Sequence, residues 1–145
     1  MAAVQRTVLV EFSAAQMHSL VSDIEAYPAF LPWCSSAVVA SRDAETVVAT
    51  LKIDYRGLRQ EFTTENTSVP DQSIRLRLIA GPFRRMEGEW HFQVLAENAC
   101  KVSLQLDYEF SGKLLETVLG PVFHYIADNM VDAFVRRAES IFARR

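Results

Sequence analysis

The sequence predicts an α+β fold in which a curved antiparallel sheet of about seven strands wraps around one long C-terminal helix. Two observations carry this. Over several successive runs between residues 46 and 110, apolar residues alternate with polar ones, the period-two mark of strands with one buried and one solvated face. From Leu115 onward the period changes. Leu115, Val118, Leu119, Val122, Phe123, Ile126, Met130, Phe134, Ala138, Ile141 and Phe142 recur every three or four residues, as on one buried helix face.

In order, residues 4–12 read as a first strand, and Ser13 as the N-cap of a helix over 14–24 that buries Met17, Leu20, Val21 and Ile24. Pro28 and Pro32 cut Tyr27 to Cys34 into a short helical turn or irregular crossing, and a weaker strand follows at 36–43. The alternating runs come next. Their inward sets are Val47, Ala49, Leu51, Ile53 and Tyr55; then Leu58, Gln60, Phe62 and Thr64, with Gln60 the polar exception; then Ile74, Leu76 and Leu78. Met86, Trp90, Phe92 and Val94 form the fourth, and Val102, Leu104, Leu106, Tyr108 and Phe110 the last. Turn signals separate them at Arg42-Asp43-Ala44-Glu45, Arg56-Gly57, Pro70-Asp71, Gly81-Pro82 and Glu97-Asn98.

Gly120-Pro121 is expected to kink or divide the last helix, so that its main part begins near Pro121. Arg136, Arg137, Arg144 and Arg145 suit the negative end of its dipole. A span of 121–143 is about 35 Å long at 1.5 Å per residue, the width of such a sheet. No other element has enough apolar surface to cover it.

The length of 145 residues suits one domain, taken as 1–145, with 50% hydrophobic and 23% charged residues, the balance of an ordinary globular chain. No apolar stretch reaches the roughly 18 residues of a membrane span, and the N-terminus lacks the apolar core of a signal peptide. The expected location is the cytoplasm, with peripheral contact at the inner membrane as the alternative. A net charge of −3 argues against a general nucleic-acid binder and against DNA as a partner. Cys34 and Cys100 make neither a disulfide framework nor a metal site, and read as two buried thiols.

On the inner face of the sheet, Tyr55, Phe62, Leu76, Leu78, Trp90, Phe92, Leu104, Leu106 and Tyr108 are expected to look toward the helix. The bland reading of such a face is core. The functional reading is an apolar cavity, because a strongly bent sheet holding one helix encloses more volume than its side chains fill, and apolar pockets with a few polar groups are the usual form of small-molecule sites. Tyr55, Gln60 and Tyr108 are the polar candidates on the sheet; Val122, Ile126 and Met130 face it from the helix. No catalytic set emerges, so no enzyme is expected. His91 points to solvent, His124 falls on the far side of its helix as a surface partner for Asp128 at i+4, and His18 has no evident partner. Arg84 and Arg85 with Arg56 and Arg59 read as solvated strand ends, or as a small basic patch for phosphate contacts.

Several segments together resemble the START-like (SRPBCC) superfamily, a helix-grip, polyketide cyclase-like fold, and within it the coenzyme Q-binding protein and ribosome association toxin family. They are Tyr27-Pro28-Ala29-Phe30-Leu31-Pro32-Trp33-Cys34; Gly81-Pro82-Phe83 followed by Gly88-Glu89-Trp90-His91-Phe92; Cys100-Lys101-Val102 with Tyr108-Glu109-Phe110; and the stretch Met130 to Ala138. The resemblance covers essentially the whole chain. It implies a binding protein with no required cofactor that holds ubiquinone or a similar isoprenoid quinone or lipid and supports respiratory electron transport. Phe30, Leu31 and Trp33 would then wall the cavity mouth, with the Tyr27 hydroxyl offered to the ligand. It implies as an alternative a ribosome-binding toxin that blocks association of the subunits, with the large subunit as partner and a small antitoxin beside it. A cyclase or hydrolase on the same fold ranks third.

Overall fold

The computed structural model describes residues 2–142. β1 (Ala2–Val10) leads to α1 (Ala14–Ser22) and a 3-10 helix, η1 (Ile24–Ala29). Six strands follow: β2 (Cys34–Arg42), β3 (Thr46–Tyr55), β4 (Leu58–Val69), β5 (Ser73–Ala80), β6 (Phe83–Ala96) and β7 (Ala99–Phe110). The helix α2 (Lys113–Phe142) ends the described chain. All strands pair antiparallel in one sheet, ordered β1-β7-β6-β5-β4-β3-β2, as the alternation predicts.

Local chemistry explains the joints. Ser13 caps α1 in a reciprocal box: its Oγ accepts from the Gln16 N–H at 3.0 Å, and Gln16 Oε1 accepts from the Ser13 N–H at 2.9 Å. Arg56 and Gly57 both have positive φ, 54° and 83°, which is the two-residue turn whose twist matches a hairpin, and Tyr55 pairs Leu58 across it. Asp43 turns β2 into β3 by accepting from the N–H groups of Glu45 and Thr46. These two bonds, the one from Thr46 first, hold its carboxyl below the usual range.

Two expectations shift. β1 starts and ends two residues earlier than 4–12, because its last pair is Val10 with Cys100, and Phe12 instead packs against the Phe142 ring. α2 is continuous through Gly120-Pro121. Pro121 is exposed, so the carbonyl left without an N–H partner faces water, while Leu119, Phe123, Ile126, Ala127, Val131, Phe134 and Ala138 keep the buried face unbroken. Arg144 and Arg145 lie outside the described residues.

Bulges interrupt the pairing at Val39/Ser41, Thr63/Thr64, Phe83/Arg85 and Val94/Ala96, and each adds bend to the strand that carries it. The curved sheet does not grip α2 symmetrically. The helix backbone runs closest to β1 and β7. On that side Arg6 reaches up from β1 to the Asp128 backbone carbonyl and the Asp132 carboxylate, the latter at 3.2 Å to both oxygens. This corrects the expected pairing of His124 with Asp128. Because the helix sits over β1, Arg6 takes the acidic groups, and His124 Nδ1 instead lies 3.4 Å from the Tyr108 hydroxyl.

Phe134 joins the other parts to α2. It is 1% exposed and meets Tyr27, Phe30 and Trp90 edge-on, with ring centroids 5.2–5.3 Å away. Phe134→Ala should therefore cost about 3–5 kcal/mol of stability by urea unfolding, the range for emptying a packed aromatic site. A loss under about 1 kcal/mol would mean that this junction is loosely packed.

Candidate functional site

Away from β1 and β7, the inner faces of β3, β4 and β5 are not covered by backbone, and a cavity of about 70 Å³ remains between them and α2. Ile24 and Tyr27 of the η1 crossing close one end together with Trp33. Ala49, Leu51, Phe62, Thr64, Asn66 and Leu76 form the β3–β5 wall; Met86, Trp90, Leu104 and Leu106 continue it on β6 and β7. Phe123, Ile126 and Met130 are the roof. A volume of this order holds a few waters, and the lining is mostly apolar with a few polar groups, the chemistry usual in small-molecule pockets.

A second, smaller cavity of about 20 Å³ lies further toward the start of α2, lined by Ile53, Leu58, Gln60, Pro82, Phe83, Phe110, Leu119 and Val122. Phe62, Phe123 and Ile126 border both. Gly81 sets Phe62 in place: a Cβ at that position would come within 2.7 Å of the Phe62 Cβ and 3.3 Å of its Cα. Only a glycine lets the β5–β6 corner approach β4 so closely.

The predicted residues divide clearly. Tyr27, Trp33, Phe62, Trp90, Leu106, Ile126 and Met130 line the main cavity, and Val122 and Gln60 the smaller one. Phe30, Leu31, Tyr55, Leu78, Phe92 and Tyr108 line neither. Phe30 lies under the Arg137 guanidinium, 5.0 Å from ring centre, and Leu31 is 1% exposed within the core. Tyr55 stacks on Tyr125 of α2 at 6.2 Å with Arg56 over both rings. Leu78 packs under the Gly81 corner, Phe92 meets His18 edge-on, and Tyr108 belongs to an aromatic cluster with Phe83, Phe110 and Phe123. The Tyr27 hydroxyl is not offered to a ligand, since it donates to the Val21 carbonyl at 2.6 Å. Its ring, not its oxygen, forms the wall.

The polar groups inside the main cavity are ones the sequence reading passed over. Thr64 is 8% exposed and donates from Oγ1 to Asn66 Oδ1 at 2.8 Å. Asn66 continues the two-residue period of Gln60, Phe62 and Thr64 past the expected strand end, because β4 runs on to Val69. Extending the alternation by one step would have found it.

The reactive side chains stay apart. Burial pushes the Cys34 and Cys100 thiols up, away from the thiolate form. His91 is exposed beside Glu89, His18 bonds Ser22 through Nδ1, and His124 meets Tyr108. Among the described residues no group of three or more His, Cys, Asp and Glu side chains gathers as a metal site. The arginines of the expected basic patch are engaged: Arg59 with Asp54, Arg84 with Glu109, Arg85 with Glu87, and Arg56 on the tyrosine rings.

Burial also raises the Tyr27 phenol well above its ordinary value near 10. The unfolded chain then loses this proton first, so the stability is present below about pH 10 and lost as pH rises beyond it. Tyr27→Phe should be less stable near neutral pH by about 1–3 kcal/mol, because the Val21 carbonyl loses its donor. Its stability should fall less steeply than the parent's between about pH 9 and 11. Parallel urea-unfolding profiles for the two would contradict this account of Tyr27.

Comparison with known proteins agrees with the geometry. The chain is 43% identical over 139 residues to the "Ribosome association toxin RatA" of Vibrio cholerae serotype O1, covering 96% of each chain. It is 39% identical over 142 residues to the protein of that name from Escherichia coli K12, covering 98% and 90%. It is 30% identical over 132 residues to the mitochondrial "Coenzyme Q-binding protein COQ10" of Drosophila melanogaster, covering 88% of this chain and 54% of that one. Among solved structures, the Zhui aromatase/cyclase of a Streptomyces superposes with a TM-score of 0.85 at 19% identity over 95% and 93% of the chains, a likeness of fold alone. An 18 kDa protein of Caulobacter crescentus gives 0.76 at 27% identity over 99% and 100%. The family described as "Polyketide cyclase / dehydrase and lipid transport" matches residues 10–135. With its curved sheet, gripped helix and apolar cavity, this chain belongs to that START-like polyketide cyclase and lipid transport family.

Proposed function

We propose that this protein acts on the ribosome and hinders association of its subunits. The observation that carries the proposal is the 43% identity, over nearly the full length of both chains, to a relative named as a ribosome association toxin. This is the alternative reading of the sequence, and the relatives favour it over the quinone reading. The surface adds a constraint. On the outer face of the sheet, Arg75 pairs with Glu89 and Arg77 with Glu65 directly across adjacent strands, so contact with ribosomal RNA would rest on shape and on a few placed groups more than on a basic field.

A second reading, binding of a quinone-like apolar molecule, is favoured by a different observation: the cavity beneath α2, together with 30% identity to a coenzyme Q-binding protein. The two readings are compatible, because one uses the surface and the other the interior.

Sedimentation of purified bacterial ribosomes decides the first. Adding the protein to separated subunits should lower the fraction that sediments as joined ribosomes, in proportion to protein added. An unchanged sedimentation profile at saturating protein would remove the proposal.

A further inference from the structure

We infer that the tip of the β3–β4 hairpin and the facing turn of α2 form a stacking site for an unpaired RNA base, with the Arg56 guanidinium held for the phosphate beside it. This rests on the reading above, that the protein acts on the ribosome, and assigns the contact to named residues.

The tip is built against local preference. Arg56 opens the two-residue turn with φ 54°, a left-handed conformation that asparagine, aspartate or glycine adopts far more readily. Its charge has no partner inside the molecule either. Arg6, Arg42, Arg59, Arg75, Arg77, Arg84 and Arg85 are each paired with a carboxylate. Among the described residues no carboxylate pairs with Arg56, and the neighbouring Asp54 is taken by Arg59 at 3.5 Å. A residue held in a disfavoured conformation, with its charge unspent internally, points to a use outside the molecule.

The rings supply the rest. Tyr55 at the end of β3 and Tyr125 of α2 lie 7° from parallel with centroids 6.2 Å apart, and Arg56 sits 5.2 and 5.8 Å from the two ring centres. Tyr125 is still 51% exposed, so aromatic surface is left for another flat group. Unpaired bases of RNA loops stack on such aromatic and guanidinium faces, and the adjoining phosphate gives the charge its partner. No broad basic field is needed, which suits a sheet whose arginines are paired. A ribosomal protein would use this ridge of α2 differently, by burying the exposed Leu114 and Val118 together with Tyr125.

Two substitutions separate these cases. Arg56→Asn suits the turn, so stability to urea should hold or rise. Its affinity for protein-free ribosomal RNA should nevertheless fall, and the slope of log affinity against log salt should become shallower by about 0.7, the loss of one phosphate contact on a single strand. Tyr125→Leu keeps the apolar area but removes the ring face, and should weaken binding to that RNA about tenfold. Both variants should also lower the fraction of joined ribosomes less than the parent does at equal concentration. Arg77→Gln removes the same charge from a paired site on the outer face and should bind as the parent does. An equal loss in Arg77→Gln would mean that net charge alone is read, and would overturn the site. Site variants that hinder subunit joining as well as the parent would also overturn it, while leaving the action on the ribosome standing. A parent that hinders joining without affinity for protein-free RNA would overturn RNA as the partner in favour of a ribosomal protein. A parent with no effect on joining would instead defeat the reading itself, and the stacking site with it.

Discussion

The off-centre seat of α2 on the sheet is the constraint from which the rest follows. Arg6 draws Asp128 and Asp132 down toward β1, and Phe123 packs among Phe83, Tyr108 and Phe110 over β6 and β7. A single helix about 10 Å wide cannot also cover β3 to β5. The sheet curves around the gap instead of flattening onto the helix, and η1 with Trp33 stops one end. Empty apolar space inside a protein forfeits dispersion contacts on every wall.

The exterior is organised on a different principle. Arginines on the outward strand positions meet carboxylates two positions along or directly across, which keeps the sheet surface mixed in sign and discourages edge pairing without a strong field. These exposed pairs are each worth little in stability. Any large partner would have to be recognised by local shape, and the stacked Tyr55, Tyr125 and Arg56 show how the hairpin tip and the helix are fixed relative to one another at one such place.

Much of the fold was legible in the sequence, because strand alternation and helix spacing are direct records of which side is buried. Val102, Leu104, Leu106, Tyr108 and Phe110 alternate through β7 without a fault and are all buried. The misreadings share a physical origin. Pro121 was expected to kink or divide the helix because propensity is local, whereas a continuous buried face and a solvated carbonyl keep the helix undivided. Tyr27 and Tyr108 were read as ligand groups because a sequence does not reveal which partner a hydroxyl meets; here the Val21 carbonyl accepts from Tyr27, and His124 Nδ1 lies beside the Tyr108 hydroxyl. Thr64 and Asn66 were missed as a pair because polar residues at a strand end resemble the start of a turn. Leu31 of the octapeptide lies in the core and Phe30 packs half-buried against it, while Trp33 reaches the cavity, a division set by the 3-10 turn that periodicity does not resolve.

The central claim is that the space beneath α2 is free volume and not a close-packed core. Ala49, 2% exposed on the cavity wall, gives the most direct test. Urea unfolding of Ala49→Leu should show stability unchanged or raised, because the added methylenes enter free volume and bury apolar surface. A loss of about 1–3 kcal/mol, the usual cost of overfilling a close-packed core, would contradict the account.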